Sequence, residues 1–239
     1  MNNQLQEKKV DSDLLQVHSI FLTIQGEGPF QGEPAIFVRL AGCNLQCPMC
    51  DTDYTSTKTG MFAQEIYDKL NSIRLEHNIK YKILVVITGG EPFRQNIKPL
   101  ITLLRADFNF YVQIETNGTI EPADCGYNTL GTKRGISIVV SPKGKDIHPE
   151  IRRLACAFKY IINADHVDND DGLPTRVLGY NFRPARPYSF DPGFRRVYVL
   201  PEDSKNFEQN MSNRAVAIDS AIKFGYNFQL QLHKHIGLE

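Results

Sequence analysis

Three cysteines fall within eight residues, Cys43-Asn44-Leu45-Gln46-Cys47-Pro48-Met49-Cys50, a C-x3-C-x2-C pattern. Thiolates are soft ligands that suit iron–sulfur clusters or zinc. A structural zinc site takes four ligands. Cys125 and Cys156 lie far away in sequence, so His77 or Asp51 would have to complete such a site. Three ordinary buried thiols are the plain alternative, because free cysteine is often buried. The economical reading is a [4Fe–4S] cubane held by Cys43, Cys47 and Cys50, one thiolate short of the usual complement. Its fourth iron is then open to an exogenous ligand. A second acidic group, Asp165, Asp168, Asp170 and Asp171, lacks the fixed spacing and terminal Glu of an EF-hand. It reads as a solvated lid or a dimer contact.

The elements that must position these residues follow from hydrophobic pattern. Residues 17–23, 35–40, 82–87, 110–114, 136–140, 158–162, 196–200 and 227–232 read as strands. Residues 62–78 and 97–105 have helical spacing, and Phe207, Met211, Ala215, Ile218 and Ile222 mark a further helix. The alternation predicts an α/β fold with a mostly parallel sheet and right-handed crossovers. Polar, glycine-bearing clusters follow the strands: Gln25-Gly26-Glu27-Gly28, the cysteine segment, Thr88-Gly89-Gly90-Glu91-Pro92, Glu115-Thr116-Asn117-Gly118 and Ser141-Pro142-Lys143-Gly144. Sites in α/β folds gather at the carboxyl ends of strands, so these clusters predict one composite site. Residues 1–16 read as a polar, frayed N-terminal extension. Residues 163–196, with Pro174, Pro184, Pro187 and Pro192, read as an irregular insertion.

A length of 239 residues suits a single domain, 1–239, with elaborations. Lys and Arg number 27, as do Asp and Glu, which removes the broad positive footprint of a nucleic-acid binder. The longest apolar run is residues 83–87, far short of a membrane span, and no secretory signal is visible. An odd cysteine count with three clustered speaks against a disulfide framework. The chain reads as cytoplasmic, with no nucleic acid and no membrane as partner.

The cysteine pattern resembles the radical S-adenosylmethionine superfamily. There the open iron binds S-adenosylmethionine, and one-electron reduction yields a 5′-deoxyadenosyl radical. Within that superfamily, residues 21–28 (FLTIQGEG), 35–40 (AIFVRL), Gly42-Cys43 and Cys50-Asp51-Thr52 resemble the 7-carboxy-7-deazaguanine synthase family. The match runs from about residue 17 to the C-terminus and is weakest over 163–210. The resemblance implies a modified partial (β/α) barrel, a homodimer, Mg²⁺, and a flavodoxin- or ferredoxin-type electron donor. It implies conversion of 6-carboxy-5,6,7,8-tetrahydropterin to 7-carboxy-7-deazaguanine with loss of ammonia, in 7-deazapurine (queuosine precursor) biosynthesis. Hydrogen abstraction from C6 would start the reaction.

Residue by residue, the resemblance implies that Met49, Asp51, Gly89, Gly90, Glu91, Asn117, Ser141, Pro142 and Lys143 bind S-adenosylmethionine. Ile24, Gln25, Gly26, Glu27, Arg39, Thr88, His233 and the carboxylate of Glu239 would bind the pterin, and Thr52 would ligate Mg²⁺. Glu27, Arg39 and Glu115 are the implied catalytic residues. A carboxylate matches the paired donors of an aminopyrimidinone, and a guanidinium offers a planar fork to a carboxylate. Gln231 and Lys234 resemble parts of a C-terminal Q-x-H-K element. One departure is Leu200-Pro201, where the family often has Gln-Pro, so backbone or Glu202 would have to substitute. Two rivals stay open: another radical enzyme, such as a glycyl-radical activase, and a non-enzymatic zinc or iron–sulfur module.

Overall fold

In the computed structural model, which describes residues 3–123, 135–187 and 196–238, the strands form one open sheet. It begins with β1 (Leu14–Ile24), β2 (Pro34–Leu40) and β3 (Thr59–Phe62). Then come α1 (Ala63–Glu76), β4 (Ile83–Gly89), α2 (Lys98–Ala106), β5 (Phe110–Thr116) and β6 (Ile136–Val140). The chain continues through α3 (Pro149–Leu154), β7 (Ala155–Ile162), β8 (Arg196–Pro201), α4 (Phe207–Phe224), β9 (Asn227–Phe228) and α5 (Leu232–Ile236). The order across the sheet is β3-β1-β2-β4-β5-β6-β7-β8-β9. Only β1 runs antiparallel to its neighbours; every pairing from β2 onward is parallel. The α/β expectation holds, as a partial barrel whose two edge strands do not meet.

Burial on both faces explains why β4 to β7 read as almost unbroken apolar runs. Ile83, Val85, Ile87, Val112, Ile114, Phe158 and Tyr160 share one core with Ile66 and Leu70 of α1, Leu100 and Leu104 of α2, and Ala217 of α4. Side chains alternate along a strand. Gln113 and Glu115 of β5 and Lys159 of β7 therefore face the opposite, inner side, where the helices are not.

Local chemistry sets the ends of the helices. Glu65 accepts the Phe62 N–H at 2.7 Å at the start of α1. Asn206 accepts the Gln209 N–H at 3.0 Å to cap α4, which stops at Gly225 in the left-handed conformation (φ 74°).

The structure departs from the sequence reading in four places. Residues before β1 are docked, not frayed: Glu7 N–H donates to Cys43 O and Val10 N–H to Arg94 O, both at 2.7 Å. Glu7 N–H, with the Gln6 side chain donating to Asn44 O, satisfies backbone groups of the cysteine segment, a use that composition does not reveal. The apolar stripe of α4 faces outward, with Phe207 81% and Ile222 78% exposed. The small residues Asn213, Ala217, Ser220 and Ala221 make the inner face instead, because they let the helix lie close on β8. The final strand is only two residues long, and residues 232–236 turn into α5.

Lastly, the 163–187 stretch is irregular but anchored. Leu173 and Ala185 are buried, and Asp171 pairs with Arg186 at 2.8 Å and Arg183 at 2.7 Å. Asp168 also pairs with Arg183, at 3.0 Å.

Candidate active site

The inner face opens into a cavity of about 490 Å³. At one end stand Cys43, Cys47 and Cys50, on the loop that follows β2. All three are free thiols; Cys43 and Cys47 are buried and Cys50 half-buried. Burial pushes the Cys43 thiol up to about 12 and raises Cys47 and Cys50 in the same direction. Among the described residues no three His, Cys, Asp or Glu side chains stand together so as to share one metal ion. In a cubane each iron takes its own thiolate, and three free thiols on one loop fit three of its irons.

Backbone geometry brings the thiol loop against the end of β4. Gly90 N–H donates to Leu40 O at 3.1 Å and Glu91 N–H to Gly42 O at 3.0 Å. A Cβ on Gly90 would overlap the Gly42 carbonyl, so only glycine fits here. Gly89, Thr88, Asn117, Ser141 and Lys143 line the same cavity from the carboxyl ends of β4, β5 and β6. Asn117 donates to Asn44 Oδ1 at 2.9 Å, joining the β5 end to the thiol loop. Burial lowers the Lys143 pKa against the pull of Cys47 and Asp51. Asp51 and Thr52 also line the cavity, and their side chains lie 3.4 Å apart.

The other end is built differently from the sequence reading. Because β1 is antiparallel, Ile24 pairs with Pro34 at the start of β2, whereas the cysteines follow its end. The segment Gln25-Gly26-Glu27 therefore does not sit with the carboxyl-end loops; it folds across the inner face towards β7. Lys159 Nζ lies 2.9 Å from Glu27 Oε2 and 3.1 Å from Glu115 Oε1. Gln25 donates to Glu115 Oε1 at 3.1 Å, and Gln231 to Glu27 Oε1 at 2.8 Å. Burial would raise the Glu27 pKa; the Lys159 ammonium and the Gln231 hydrogen bond overcome it and hold Glu27 near 2. Arg39 lines the cavity with its guanidinium 5.1 Å over the Phe21 ring.

His233 lines this end too, but from the first turn of α5, not from a strand end. Its ring fills the space where a Gly26 side chain would be. Leu232 N–H donates to Gly26 O at 3.1 Å, and Lys234 lies 3.7 Å from Asp51.

Several residues lie elsewhere. Glu91 is fully buried beneath the cavity, where it accepts from Asn117 N, Phe93 N and the Thr116 hydroxyl. Burial raises it to about 7 despite these bonds. Met49 and Pro142 line an adjoining cavity of about 210 Å³ that shares Lys143, Lys159 and Leu178 with the first. There Leu178 O accepts the Met49 N–H at 3.0 Å, and the Tyr180 hydroxyl bonds the Cys47 thiol. Leu200 sits in a small apolar cluster with Val139 and Tyr198, while Glu202 lines the smaller cavity. Cys156 is buried and donates to Ile138 O at 3.2 Å. Glu239 and Cys125 fall outside the described residues. Lys159 and Leu178 were not singled out from sequence. For Lys159 the signal was there: a single charge within the apolar strand Phe158-Lys159-Tyr160-Ile161-Ile162.

A partial parallel barrel with three free thiols beside a glycine-lined strand end defines a cluster-bearing radical enzyme of the S-adenosylmethionine type. A family model described as a 4Fe-4S single cluster domain matches residues 24–116. The chain is 39% identical to the 7-carboxy-7-deazaguanine synthase of Rhodospirillum rubrum, over 94% of this chain and 92% of that one. It is 39% identical to that of Rickettsia prowazekii (96% and 91%) and 34% to that of Hyperthermus butylicus (92% and 92%). The chain belongs to the 7-carboxy-7-deazaguanine synthase family, whose members are radical S-adenosylmethionine lyases. The crystal structure of QueE from Escherichia coli shares the fold, with a TM-score of 0.64 at 22% identity over 92% of this chain and 95% of that one. No helix among the described residues is long and apolar enough to cross a membrane.

Proposed function

We propose that this chain converts 6-carboxy-5,6,7,8-tetrahydropterin to 7-carboxy-7-deazaguanine with release of ammonia. One observation carries the reading: a single cavity has three free thiols at one end and Glu27, Lys159, Glu115 and Arg39 at the other. Cys43, Cys47 and Cys50 would hold the [4Fe–4S] cluster. With S-adenosylmethionine bound and one electron supplied by a reductant, the cluster would provide a 5′-deoxyadenosyl radical for hydrogen abstraction at the substrate.

The chain's own residues bind, orient and exclude water. Gly89, Gly90, Asn117, Ser141 and Lys143 cradle the S-adenosylmethionine, with Met49 and Pro142 at its far side. Glu91 acts from below, holding the backbone that makes the contact. Glu27, ionised, accepts the paired N–H donors of the pterin, and Gln25, Gly26, Ile24, Thr88 and His233 border the same space. Arg39 faces the substrate carboxylate. Thr52 with Asp51 beside it suits a Mg²⁺ that keeps waters and shares a substrate oxygen. The exposed apolar stripe of α4 supports a homodimer, and the cluster's chemistry calls for a one-electron donor of the flavodoxin or ferredoxin class.

The test is turnover by the anaerobically reconstituted protein with S-adenosylmethionine, dithionite, Mg²⁺ and 6-carboxytetrahydropterin, read by mass spectrometry. Formation of 7-carboxy-7-deazaguanine, lost in Cys47→Ala, is the expected result. Formation of 5′-deoxyadenosine alone would keep the radical chemistry and overturn the substrate.

A further inference from the structure

Lys159 has no role in the assignments above beyond its place in the wall. Its side chain is 5% exposed, and it is the group that touches both carboxylates of the substrate end. Two carboxylates so close in a buried site cannot both stay ionised unaided, because burial and mutual repulsion each favour a proton on one of them. An ammonium between them removes both penalties. Two of its three N–H groups are then directed to Glu27 and Glu115, and the third is left for a carbonyl oxygen in the cavity.

We propose that Lys159 is a positioning residue for substrate recognition: it bridges Glu27 and Glu115 and holds Glu27 as an acceptor, so that the cavity presents the Glu27 carboxylate and, next to it, the Lys159 ammonium to a 2-amino-4-oxo ring edge. The proposal rests on the pterin reading given above. The order matches that edge, whose adjacent exocyclic and ring N–H groups donate to one carboxylate and whose neighbouring oxo group accepts from the ammonium. A neutral carboxyl at Glu27 would place an O–H donor against those N–H donors and spoil the match.

The surroundings support the arrangement. Gln25 and Gln113 both donate to Glu115, at 3.1 and 2.9 Å, and Gln231 donates to Glu27. The other charged or titratable groups near the pair are His233 from α5 and Lys143 from the loop after β6, with Asp51 and Lys234 further along the wall. None of these bridges the two carboxylates as Lys159 does. Burial would pull the Lys159 ammonium down, but Glu115 and Glu27 push it well above the usual lysine range, so it stays charged.

The test compares wild type, Lys159→Gln and Lys159→Arg in the full-length, cluster-loaded protein. Infrared difference spectra of Lys159→Gln minus wild type at neutral pH, in which the buried Glu91 carboxyl cancels, should show an added protonated-carboxyl band that is lost again in Lys159→Gln/Glu27→Gln. With 6-carboxytetrahydropterin, the acid limb of kcat/KM should move up by at least about one pH unit, about tenfold in rate at a fixed acid pH. KM should carry the change and kcat should not, and Lys159→Arg should restore the wild-type profile. If Lys159→Gln does not fold, Lys159→Gln/Glu115→Gln relieves the repulsion and should show the same Glu27 band. An unshifted acid limb, or no carboxyl band added to that of wild type in either folded variant, overturns the proposal. A wild type that shows no turnover while the band appears in Lys159→Gln overturns the pterin reading and leaves the ionisation role standing.

Discussion

The Asn117 N–H and the Glu91 carboxylate meet at 2.8 Å in a fully buried hydrogen bond that ties the end of β5 to the end of β4. Both Glu91 oxygens are acceptors here, one for Asn117 N–H and the other for Phe93 N–H and the Thr116 hydroxyl. Glu91→Gln keeps the shape but turns one acceptor into an NH2 donor facing an N–H. A buried group left unmatched costs about 1–3 kcal/mol. Chemical denaturation of the apo-protein should show a loss of that size.

Gly90 meets backbone, not a flexible side chain, where its Cβ would be. Gly90→Ala must therefore push the Gly42 carbonyl away and move Cys43 with it. The expected outcome is a protein with near-native far-UV circular dichroism that retains much less iron after reconstitution than wild type.

Glu27 has a pKa near 2 when folded and an ordinary value of 4.5. As pH falls, the unfolded chain takes up this proton first. The stabilisation is fully present above about pH 4.5 and is lost as pH drops towards 2, by about 3 kcal/mol in all. Unfolding free energies of wild type and Glu27→Gln should therefore converge over that window and run parallel above it.

Gln4 joins the N-terminal segment to the loop that carries Thr52. It donates to Thr52 O at 2.8 Å and accepts the Tyr54 N–H at 2.6 Å, next to a side chain that is 1% exposed. Gln4→Ala removes the acceptor of that N–H and should cost about 1–3 kcal/mol. Mg²⁺ affinity, measured by calorimetry with substrate present, should fall with it.

The outer face of α4 carries Phe207, Met211, Ile218 and Ile222, all exposed and one to four turns apart on one side. Met211→Lys/Ile222→Lys touches nothing in the core of the chain. Analytical ultracentrifugation should find the double variant monomeric and as stable to denaturant as wild-type monomer, with wild type dimeric.

The parallel strands were legible in sequence because both of their faces are buried, which leaves little but apolar residues from Ile83 to Ile87 or Ile136 to Val140. The loops at their carboxyl ends were legible for a related reason: close backbone approach restricts them to glycine and a few polar types. The direction of β1 was not, since a strand's own residues do not state which way its neighbour runs. For that reason Gln25 to Glu27 were expected among the carboxyl-end loops and in fact enter from the other end of β2. On α4 the pattern gave the helix but not its buried face. Apolar residues lie on both sides, and what decides is the small volume of Ala217, Ser220 and Ala221, which spacing alone does not weigh.

The substrate end of the cavity is stitched by residues from opposite ends of the chain. Gln229 and Gly28, 201 positions apart, exchange two hydrogen bonds, and Gln31 reaches Leu230 O. The hydrogen-bond partners described for Cys43 to Cys50 all precede residue 181, Leu178 and Tyr180 being the last of them. During synthesis the cluster end can thus take shape while the far wall of the cavity is still untranslated. Only when residues 229–233 leave the ribosome does the cavity gain that last wall, so the emergence of this segment times the joining of the thiol end to the pocket opposite it.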